Sequence, residues 1–162
     1  MGIIQKVLGQ SFYNIIIFMN KIICSGALFY SLNTKRFLLL HRAKGKTSNL
    51  WGLVGGTNEG CETPWEGLQR EIDEEIGQIS IKKTIPLETF ISNDEHFYFH
   101  TYLCLVDKEF IPTLNDEHNG YSWVSFGNWP KPMHHGLANT LRSKTNQGKL
   151  ETVIRLVDIM ID

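Results

Sequence analysis

The sequence predicts an α/β fold, a mixed β-sheet with helices packed on its faces. Two segments, 22–32 and 96–106, are rich in β-branched and aromatic residues, which is typical of strands. Between them, residues 63–76 carry apolar side chains at helical spacing, and residues 150–161 repeat that pattern near the C-terminus. A chain of 162 residues is long enough for one such domain with its own core.

Four further strands complete the predicted sheet. The first follows a polar turn and should pair with segment 22–32 as a hairpin. The second ends at Gly55 and Gly56, ahead of the main helix. A further short helix is expected at 137–142, and residues 41–49 form a polar, basic loop. The four strands are predicted at residues 35–40, 50–54, 79–91 and 120–126.

The helix at 63–76 has clear signals at both ends. Thr63 is a good N-cap, Pro64 suits the first helical turn, and Glu66 completes a capping box. Gly77 is a natural stop at the other end. The apolar stripe that should face the core consists of Trp65, Leu68, Ile72 and Ile76.

Composition and charge exclude several classes of function. Apolar residues make up 42% of the chain, as in globular proteins, and the formal net charge is −1. That charge argues against a protein that grips long nucleic acid by bulk electrostatics, but not against a small anionic substrate. No segment has the ~18 apolar residues that a membrane span requires. The widely spaced Cys24, Cys61 and Cys104 fit free thiols, so a cytoplasmic location is expected.

The chain has a natural domain start at Met19. We expect residues 19–162 to form the domain and residues 1–18 to be an N-terminal extension. The extension has an apolar run, but it lacks a small-residue cleavage site and a strong basic flank, so a signal peptide is not predicted. As an apolar arm it is a candidate for self-association, which would give a homodimer.

Three glutamates lie together on a second flank of the helix. Glu71, Glu74 and Glu75 have i, i+3 and i+4 spacing, so their side chains converge and repel one another. Carboxylate oxygens are the ligands that Mg²⁺ and Mn²⁺ prefer, and a divalent cation would neutralise this charge. Taken alone, clustered acids more often form a solvated helix face than a metal site.

The residues around these glutamates follow a longer pattern. It reads Gly, five residues, Glu, seven residues, Arg-Glu, an aliphatic residue, one residue, Glu-Glu, one residue and Gly. The positions that carry it are Gly56, Glu62, Arg70, Glu71, Ile72, Glu74, Glu75 and Gly77. This segment resembles the Nudix box, with Gln78 in place of the final aliphatic residue. The resemblance implies a Nudix-type α/β/α sandwich with a catalytic loop and helix, and a Nudix hydrolase as the function.

The resemblance also implies a role for each matched residue. Arg70 would take part in catalysis by orienting the glutamates through salt bridges, as would Glu74 and Glu75. Glu62 would brace the loop against the helix. Bound metals neutralise phosphate charge and activate the attacking water. The expected ligands of Mg²⁺ or Mn²⁺ are the carbonyl of Gly56 and the carboxylates of Glu71, Glu74 and Glu75.

A further base or ligand is expected from a segment outside the box. The candidates are Glu88, Glu95, Glu117 and His118. Glu117 is favoured as the catalytic residue, because similar Glu-His stretches precede the last sheet strand in many Nudix enzymes. His118 is an alternative base or a substrate contact, since its ordinary pKa is near neutrality.

The remaining candidates concern substrate binding. Arg42 and Lys46 belong to the basic loop and are placed to contact phosphate. Tyr98 and Trp129 are candidates for stacking on a base, as aromatic side chains do in nucleotide pockets. With His118, these residues form the predicted substrate-binding set.

The resemblance implies cleavage of a phosphoanhydride in a nucleoside diphosphate linked to another group. The likeness around residues 117–123 favours nucleotide sugars or ADP-ribose slightly. A (d)NTP pyrophosphohydrolase and an enzyme that trims RNA 5′ ends stay open, although the near-neutral charge counts against RNA. A binding module of the same fold without turnover is the alternative from another class. Such a module should lack box carboxylates, and this chain keeps them.

Overall fold

The fold is an α/β/α sandwich built on one mixed sheet. It was obtained as a computed structural model, and the structure describes residues 21–161. The strands are β1 (Ile22–Ser31), β2 (Arg36–Arg42), β3 (Trp51–Gly52), β4 (Val54–Thr57), β5 (Lys83–Ile91), β6 (Phe97–Val106) and β7 (His118–Ser125). The helices are α1 (Pro64–Ile76), α2 (His135–Arg142) and α3 (Lys144–Ile161).

The strand β1 lies at the centre of the sheet. The sheet runs in the order β3-β2-β1-β6-β5, while β4 pairs with β1 and β7 pairs with β2. β1 and β6 are parallel and the other pairs are antiparallel, so the predicted mixed sheet is confirmed. The predicted hairpin of β1 and β2 is also present, with Phe29 opposite Leu38.

Alternate residues of β1 face different helical layers. Ala27 and Phe29 belong to the core beneath α1, whereas Leu28 and Tyr30 belong to the core beneath α2 and α3. Successive side chains of a strand point to opposite faces, so each face has its own core. The first core includes the predicted stripe of α1, with Trp65 partly buried and Leu68, Ile72 and Ile76 buried.

Helix α1 begins and ends where the sequence predicts. The Thr63 hydroxyl accepts a hydrogen bond from the Glu66 N–H at 3.3 Å, and the Glu66 carboxylate accepts one from the Thr63 N–H at 2.8 Å. Gly77 ends the helix with φ of 85°, which glycine adopts without strain. A Cβ at Gly67 would lie 2.7 Å from the Asn58 side chain, so this glycine lets the preceding loop pack against the helix.

Two predicted strands differ in extent. The strand expected over 79–91 begins only at Lys83, because Ile79 and Ile81 pack against the α1 core from a connecting segment. The strand expected over 50–54 is divided between β3, which pairs with β2, and β4, which pairs with β1. The chain therefore crosses from one partner strand to the next just before the two adjacent glycines, Gly55 and Gly56.

The C-terminal part of the chain is more helical than expected. Helix α3 begins at Lys144, ahead of the predicted start at 150. None of the helices within residues 21–161 has both the length and the apolar character needed to cross a membrane. The predicted extension, residues 1–18, lies outside the described residues.

Candidate active site

Glu75 is the most deeply buried of the three helix glutamates. Only 2% of the residue is exposed, and its Oε2 accepts a hydrogen bond from the Gly55 N–H at 2.7 Å. Burial, assisted by the charges of Glu71 and Glu117, raises the pKa of Glu75 to about 8 against the opposing effect of that hydrogen bond. A bound cation would therefore stabilise the ionised form of Glu75.

Glu71 lies directly against the backbone of β4. A Cβ added at Gly56 would be 2.5 Å from Oε1 of Glu71, closer than non-bonded atoms approach. Burial raises the pKa of Glu71, Arg70 opposes this effect, and the charge of Glu117 adds to it. Glycine at position 56 is therefore what allows this carboxylate to reach the strand.

Arg70 connects the glutamates to the loop that precedes the helix. Its Nε donates to Oε1 of Glu62 at 3.0 Å, and its Nη2 donates to the carbonyl of Thr57 at 2.9 Å. Its Nη1 contacts Glu71 at 3.0 Å and Glu74 at 3.4 Å. The carboxylates of Glu62 and Glu71 raise the pKa of Arg70 above its ordinary value, so the guanidinium stays charged. These contacts are the ones that the predicted orienting role of Arg70 requires.

The loop itself is held by Glu62 and Asn58. Oε2 of Glu62 accepts a hydrogen bond from the Glu59 N–H at 2.8 Å. The Asn58 amide donates to the carbonyls of Glu62 at 3.1 Å and Thr63 at 2.9 Å. Glu62 thus joins loop and helix through Arg70, in the bracing position expected from the sequence.

A cavity of about 770 Å³ opens beside these carboxylates. Its carboxylate end is lined by Gly55, Gly56, Glu71 and Glu117. Its aromatic end is lined by Glu88, Phe90, Phe97 and Phe99. Further lining side chains are Arg42, His134, Asn139 and Thr140. Apolar walls with a few polar groups are typical of sites for small molecules.

Several predicted residues meet at the carboxylate end. Glu117 is exposed on the segment before β7, and its carbonyl accepts a hydrogen bond from the Ala43 N–H at 2.7 Å. Arg42, half-buried at the end of β2, lines the same cavity. Glu74 and Glu75 do not line it, because Glu74 is exposed beside Arg70 and Glu75 is buried beneath β4.

Tyr98 is not brought to the cavity. It pairs with Ile23 across β1 and β6, and the ring lies on the face that carries α1. Phe97 and Phe99, its neighbours on β6, point to the opposite face and line the cavity. Successive side chains of a strand point to opposite faces, so Tyr98 points away from the cavity. The predicted stacking role is therefore wrong for Tyr98. Its hydroxyl instead accepts a hydrogen bond from Lys21 at 3.0 Å.

Trp129 and Lys46 are also outside the cavity lining. The Trp129 ring packs against Phe37 and Phe126, with centroid separations of 5.3 and 5.8 Å. It therefore contributes to the core beneath α2 and α3. Lys46 is exposed in the loop after β2, where its neighbour Thr47 contacts the cavity instead.

His118 is buried, and its side chain does not face the cavity. Its Nε2 lies 3.8 Å from Oε1 of Glu75, with no exposed side-chain surface. Burial, together with the charge of Arg42, lowers the pKa of His118 to about 4. The raised pKa of Glu75 and the lowered pKa of His118 both disfavour an ion pair between them. The structure thus places His118 behind Glu75, away from substrate.

The aromatic end of the cavity was missed in the sequence. Phe90, Phe97, Phe99 and His134 belong to no motif in the sequence. The sequence predicts Glu88 as a candidate base or ligand for the carboxylate end, whereas the residue lies at the aromatic end. The alternation of Phe97 and Phe99 was the available signal, but the face they occupy depends on how β6 pairs with β1.

The donor groups near α1 suit a hard divalent cation. Within residues 21–161, no three His, Cys, Asp or Glu side chains are close enough together to form a metal cluster as they stand. Arg70 supplies positive charge between Glu71 and Glu74. The available donors are nevertheless carboxylate and carbonyl oxygens, which Mg²⁺ and Mn²⁺ prefer, and the charge repulsion felt by Glu71 and Glu75 is what such an ion relieves.

Comparison with known proteins agrees with this fold. The model of the NUDIX domain matches residues 24–143, and the chain therefore belongs to the NUDIX family. Dihydroneopterin triphosphate diphosphatase from Haemophilus influenzae is 33% identical over 114 residues, which span 60% of this chain and 70% of that protein.

Solved structures show the same fold. The MutT NUDIX hydrolase from Burkholderia pseudomallei has a TM-score of 0.64 at 25% identity, over 76% of this chain and 98% of that one. The NUDIX domain of Shewanella oneidensis NrtR, solved in complex with ADP ribose, has a TM-score of 0.65 at 14% identity, over 80% of this chain and 88% of that one. The α/β/α fold and the resemblance to the Nudix box are thus confirmed, and the chain is an enzyme, a Nudix hydrolase.

Proposed function

We propose that this chain is a Mg²⁺- or Mn²⁺-dependent pyrophosphohydrolase that cleaves a phosphoanhydride bond in a small nucleotide-like triphosphate. The observation that carries the proposal is the carboxylate end of the cavity, where Glu71 and Glu117 flank the paired glycines and Glu75 is buried beneath them. Glu71 and Glu117 raise the pKa of Glu75, and Glu117 raises that of Glu71, so a bound cation would stabilise the ionised cluster.

Four oxygen donors would hold the ion, namely the carbonyl of Gly56 and the carboxylates of Glu71, Glu74 and Glu75. When bound, a divalent ion neutralises phosphate charge and favours deprotonation of water. Arg70 fixes the positions of Glu71 and Glu74 through its hydrogen bonds.

Glu117 is the proposed general base. Its carboxylate lines the cavity at the carboxylate end and is not held by the Arg70 network, so it is available to accept a proton. In the proposed reaction, water attacks phosphorus and gives its proton to Glu117. The bond from phosphorus to the bridging oxygen breaks, and the leaving phosphate takes the electron pair. Arg42, at the same cavity, would bind a phosphate oxygen.

Two observations bear on the substrate. The similarity to a dihydroneopterin triphosphate diphosphatase, at 33% identity, supports a triphosphate whose cleavage releases pyrophosphate. The stretch at 117–123 favours nucleotide sugars or ADP-ribose, and we keep these as the second candidate class. The triphosphate is preferred because similarity over 114 residues outweighs one short stretch.

A substrate panel tests the proposal. Wild-type protein is incubated with Mg²⁺, or with EDTA, and with dihydroneopterin triphosphate, GTP, ATP, ADP-ribose, UDP-glucose and capped RNA. We expect a monophosphate and pyrophosphate from a triphosphate with Mg²⁺, and no release with EDTA. Two monophosphate products from ADP-ribose or UDP-glucose alone would favour the second class. No release from any compound would favour a binding module.

A further inference from the structure

Four residues on neighbouring strands form one row across the floor of the cavity. Gly55 of β4 pairs with Gly26 of β1, Gly26 pairs with Thr101 of β6, and Thr101 pairs with Glu88 of β5. Paired residues point to the same face, and neighbouring strands are about 4.8 Å apart. The row therefore extends about 14 Å from the carboxylate end to Glu88. Glycine at position 26 lets the side chains of Leu53 and Phe99 lie close to this floor, because an added Cβ would be 2.9 and 3.0 Å from them.

A β-bulge turns Glu88 into this cavity. The pairing of β5 with β6 shifts between Pro86 and Glu88, which leaves Leu87 as the additional residue. Leu87 is buried in the core beneath α2 and α3, and Glu88 lines the cavity on the same face of the sheet. Regular alternation would have placed Glu88 on the α1 face, and bulges commonly redirect a side chain next to a functional site. Lys149 holds the bulge by donating to the Leu87 carbonyl at 2.7 Å.

The Glu88 carboxylate has unused hydrogen-bonding capacity. Its Oε2 accepts a hydrogen bond from the Thr140 hydroxyl at 2.6 Å. Among the ion pairs formed within residues 21–161, none includes Glu88. A carboxylate accepts several hydrogen bonds, so N–H donors of a ligand can bind the remaining acceptor positions. The hydrogen bond from Thr140 fixes Oε2, and this orients the whole Glu88 carboxylate for such a ligand.

Aromatic rings lie in the next row of the same face. Thr57, Cys24, Phe99 and Phe90 are paired in that order across β4, β1, β6 and β5. Successive rows on one face are about 7 Å apart along a strand, so the phenyl groups lie next to Glu88. Phe90 is largely exposed to solvent, at 53% of the residue's surface. A flat ring stacked on Phe90 or Phe99 would cover this surface and present its edge to Glu88.

We propose that Glu88 is a specificity-determining residue that binds a fused pyrimidine ring through two adjacent N–H donors, a ring N–H and an exocyclic amino group. A carboxylate accepts two such hydrogen bonds side by side. Guanine and other 2-amino-4-oxo pyrimidine rings have this pair of donors. Adenine has an unprotonated ring nitrogen beside its amino group, and that lone pair would face the carboxylate. The proposal rests on the proposed function, because the triphosphate would extend from this ring to the carboxylate end.

The test compares three triphosphates in wild type and Glu88→Gln. GTP has both donors, ITP has only the ring N–H, and ATP has the unfavourable ring nitrogen. We expect wild type to have the highest kcat/KM for GTP. The Gln side chain replaces one acceptor oxygen with an amino group, so the GTP-to-ATP ratio of kcat/KM should fall by about 10- to 100-fold. The ITP-to-ATP ratio of kcat/KM should fall by less, because ITP has a single donor to this carboxylate.

Two further variants make the comparison specific. Glu151→Gln removes the same charge at an exposed position of α3 and should leave all three kcat/KM values unchanged. Thr140→Val removes the hydroxyl that orients Glu88 and should reduce the GTP-to-ATP ratio by a smaller factor. It also supplies the test if Glu88→Gln unfolds, which thermal denaturation would reveal.

Binding separates this proposal from the proposed function. Titration calorimetry with guanosine and adenosine 5′-(α,β-methylene)triphosphates needs no turnover. Tighter binding of the guanosine compound, lost in Glu88→Gln, supports the ring-binding role even if none of the triphosphates is hydrolysed, in which case only the proposed function fails. Hydrolysis with no guanine preference, or a preference that Glu88→Gln retains, overturns the role of Glu88 and leaves the proposed function intact.

Discussion

The two ends of the cavity are assembled in different ways. Apart from Glu117 and Arg42, the carboxylate end comes from one stretch of chain, in which β4 supplies Gly55 and Gly56 and α1 supplies the glutamates. The aromatic end needs β5 and β6 to pair in one register, with residues of α2 beside them. The chemistry is therefore encoded in local spacing, while recognition depends on segments that meet only in the folded chain.

Charge is balanced differently at the two ends. Arg70 contacts Glu62, Glu71 and Glu74 at the carboxylate end, so most of that cluster is held in place without substrate. Among residues 21–161, the hydrogen bond to the Glu88 carboxylate at the aromatic end comes from the Thr140 hydroxyl. Substitutions at the first end should therefore change kcat, and substitutions at the second should mainly change KM or selectivity.

The largest effect is expected from Glu75→Gln. The amide oxygen can still accept from the Gly55 N–H, but the charge that a divalent ion requires is lost. We expect kcat to fall by about 100- to 10,000-fold with little change in KM, measured by pyrophosphate release with Mg²⁺. Asp73→Asn removes a charge from an exposed position of the same helix and should retain activity. If the two variants had equal activity, Glu75 would have no place in the catalytic group.

A smaller loss is expected from Gly56→Ala. The added Cβ would lie 2.5 Å from Oε1 of Glu71 and must displace that carboxylate. Displacement of a positioned group by about 1 Å lowers turnover by about 100-fold, so kcat should fall by that order. Gly148→Ala in α3 is the matched control, because its Cβ would meet nothing within 4 Å. Full activity of Gly56→Ala would show that the position of Glu71 is not critical.

The smallest effect is expected from Gly26→Ala, on the floor of the cavity. Its Cβ would lie 2.9 Å from Cδ1 of Leu53 and 3.0 Å from Cζ of Phe99, so these side chains must move into the substrate space. We expect KM to rise by about 10-fold with kcat nearly unchanged. Gly120→Ala on β7 has only an ordinary contact of 3.6 Å with His41 and serves as the control. A loss confined to kcat would contradict the division of roles between the two ends.

Prediction from sequence was most successful where signals are local. The caps of α1, its apolar stripe and the pairing of Arg70 with the glutamates all follow from spacing along one helix, and the structure contains them. It was least successful for the aromatic residues. The sequence predicts Tyr98 and not its neighbours as a stacking residue, because nothing in the sequence indicates which face of β6 is turned toward the cavity.

Burial also separated residues that the sequence treats alike. Glu117 and His118 are adjacent, yet Glu117 lines the cavity and His118 is enclosed next to Glu75. Trp129 has the ring needed for stacking on a base, but it packs on Phe37. Desolvation and packing decide these outcomes, and both depend on neighbours far away in the chain.

The sequence by itself determined the family, the mixed α/β fold and the set of acidic residues on α1, because a helix converts fixed spacing into fixed geometry. Only the tertiary structure decided where the substrate cavity lies and what lines it. The register of four strands places Glu88 in one row with Gly26 and Gly55, and a bulge after Pro86 turns it to the cavity face. Strand pairing is set by contacts between distant segments, so the segments that contribute the aromatic end do not reveal it individually.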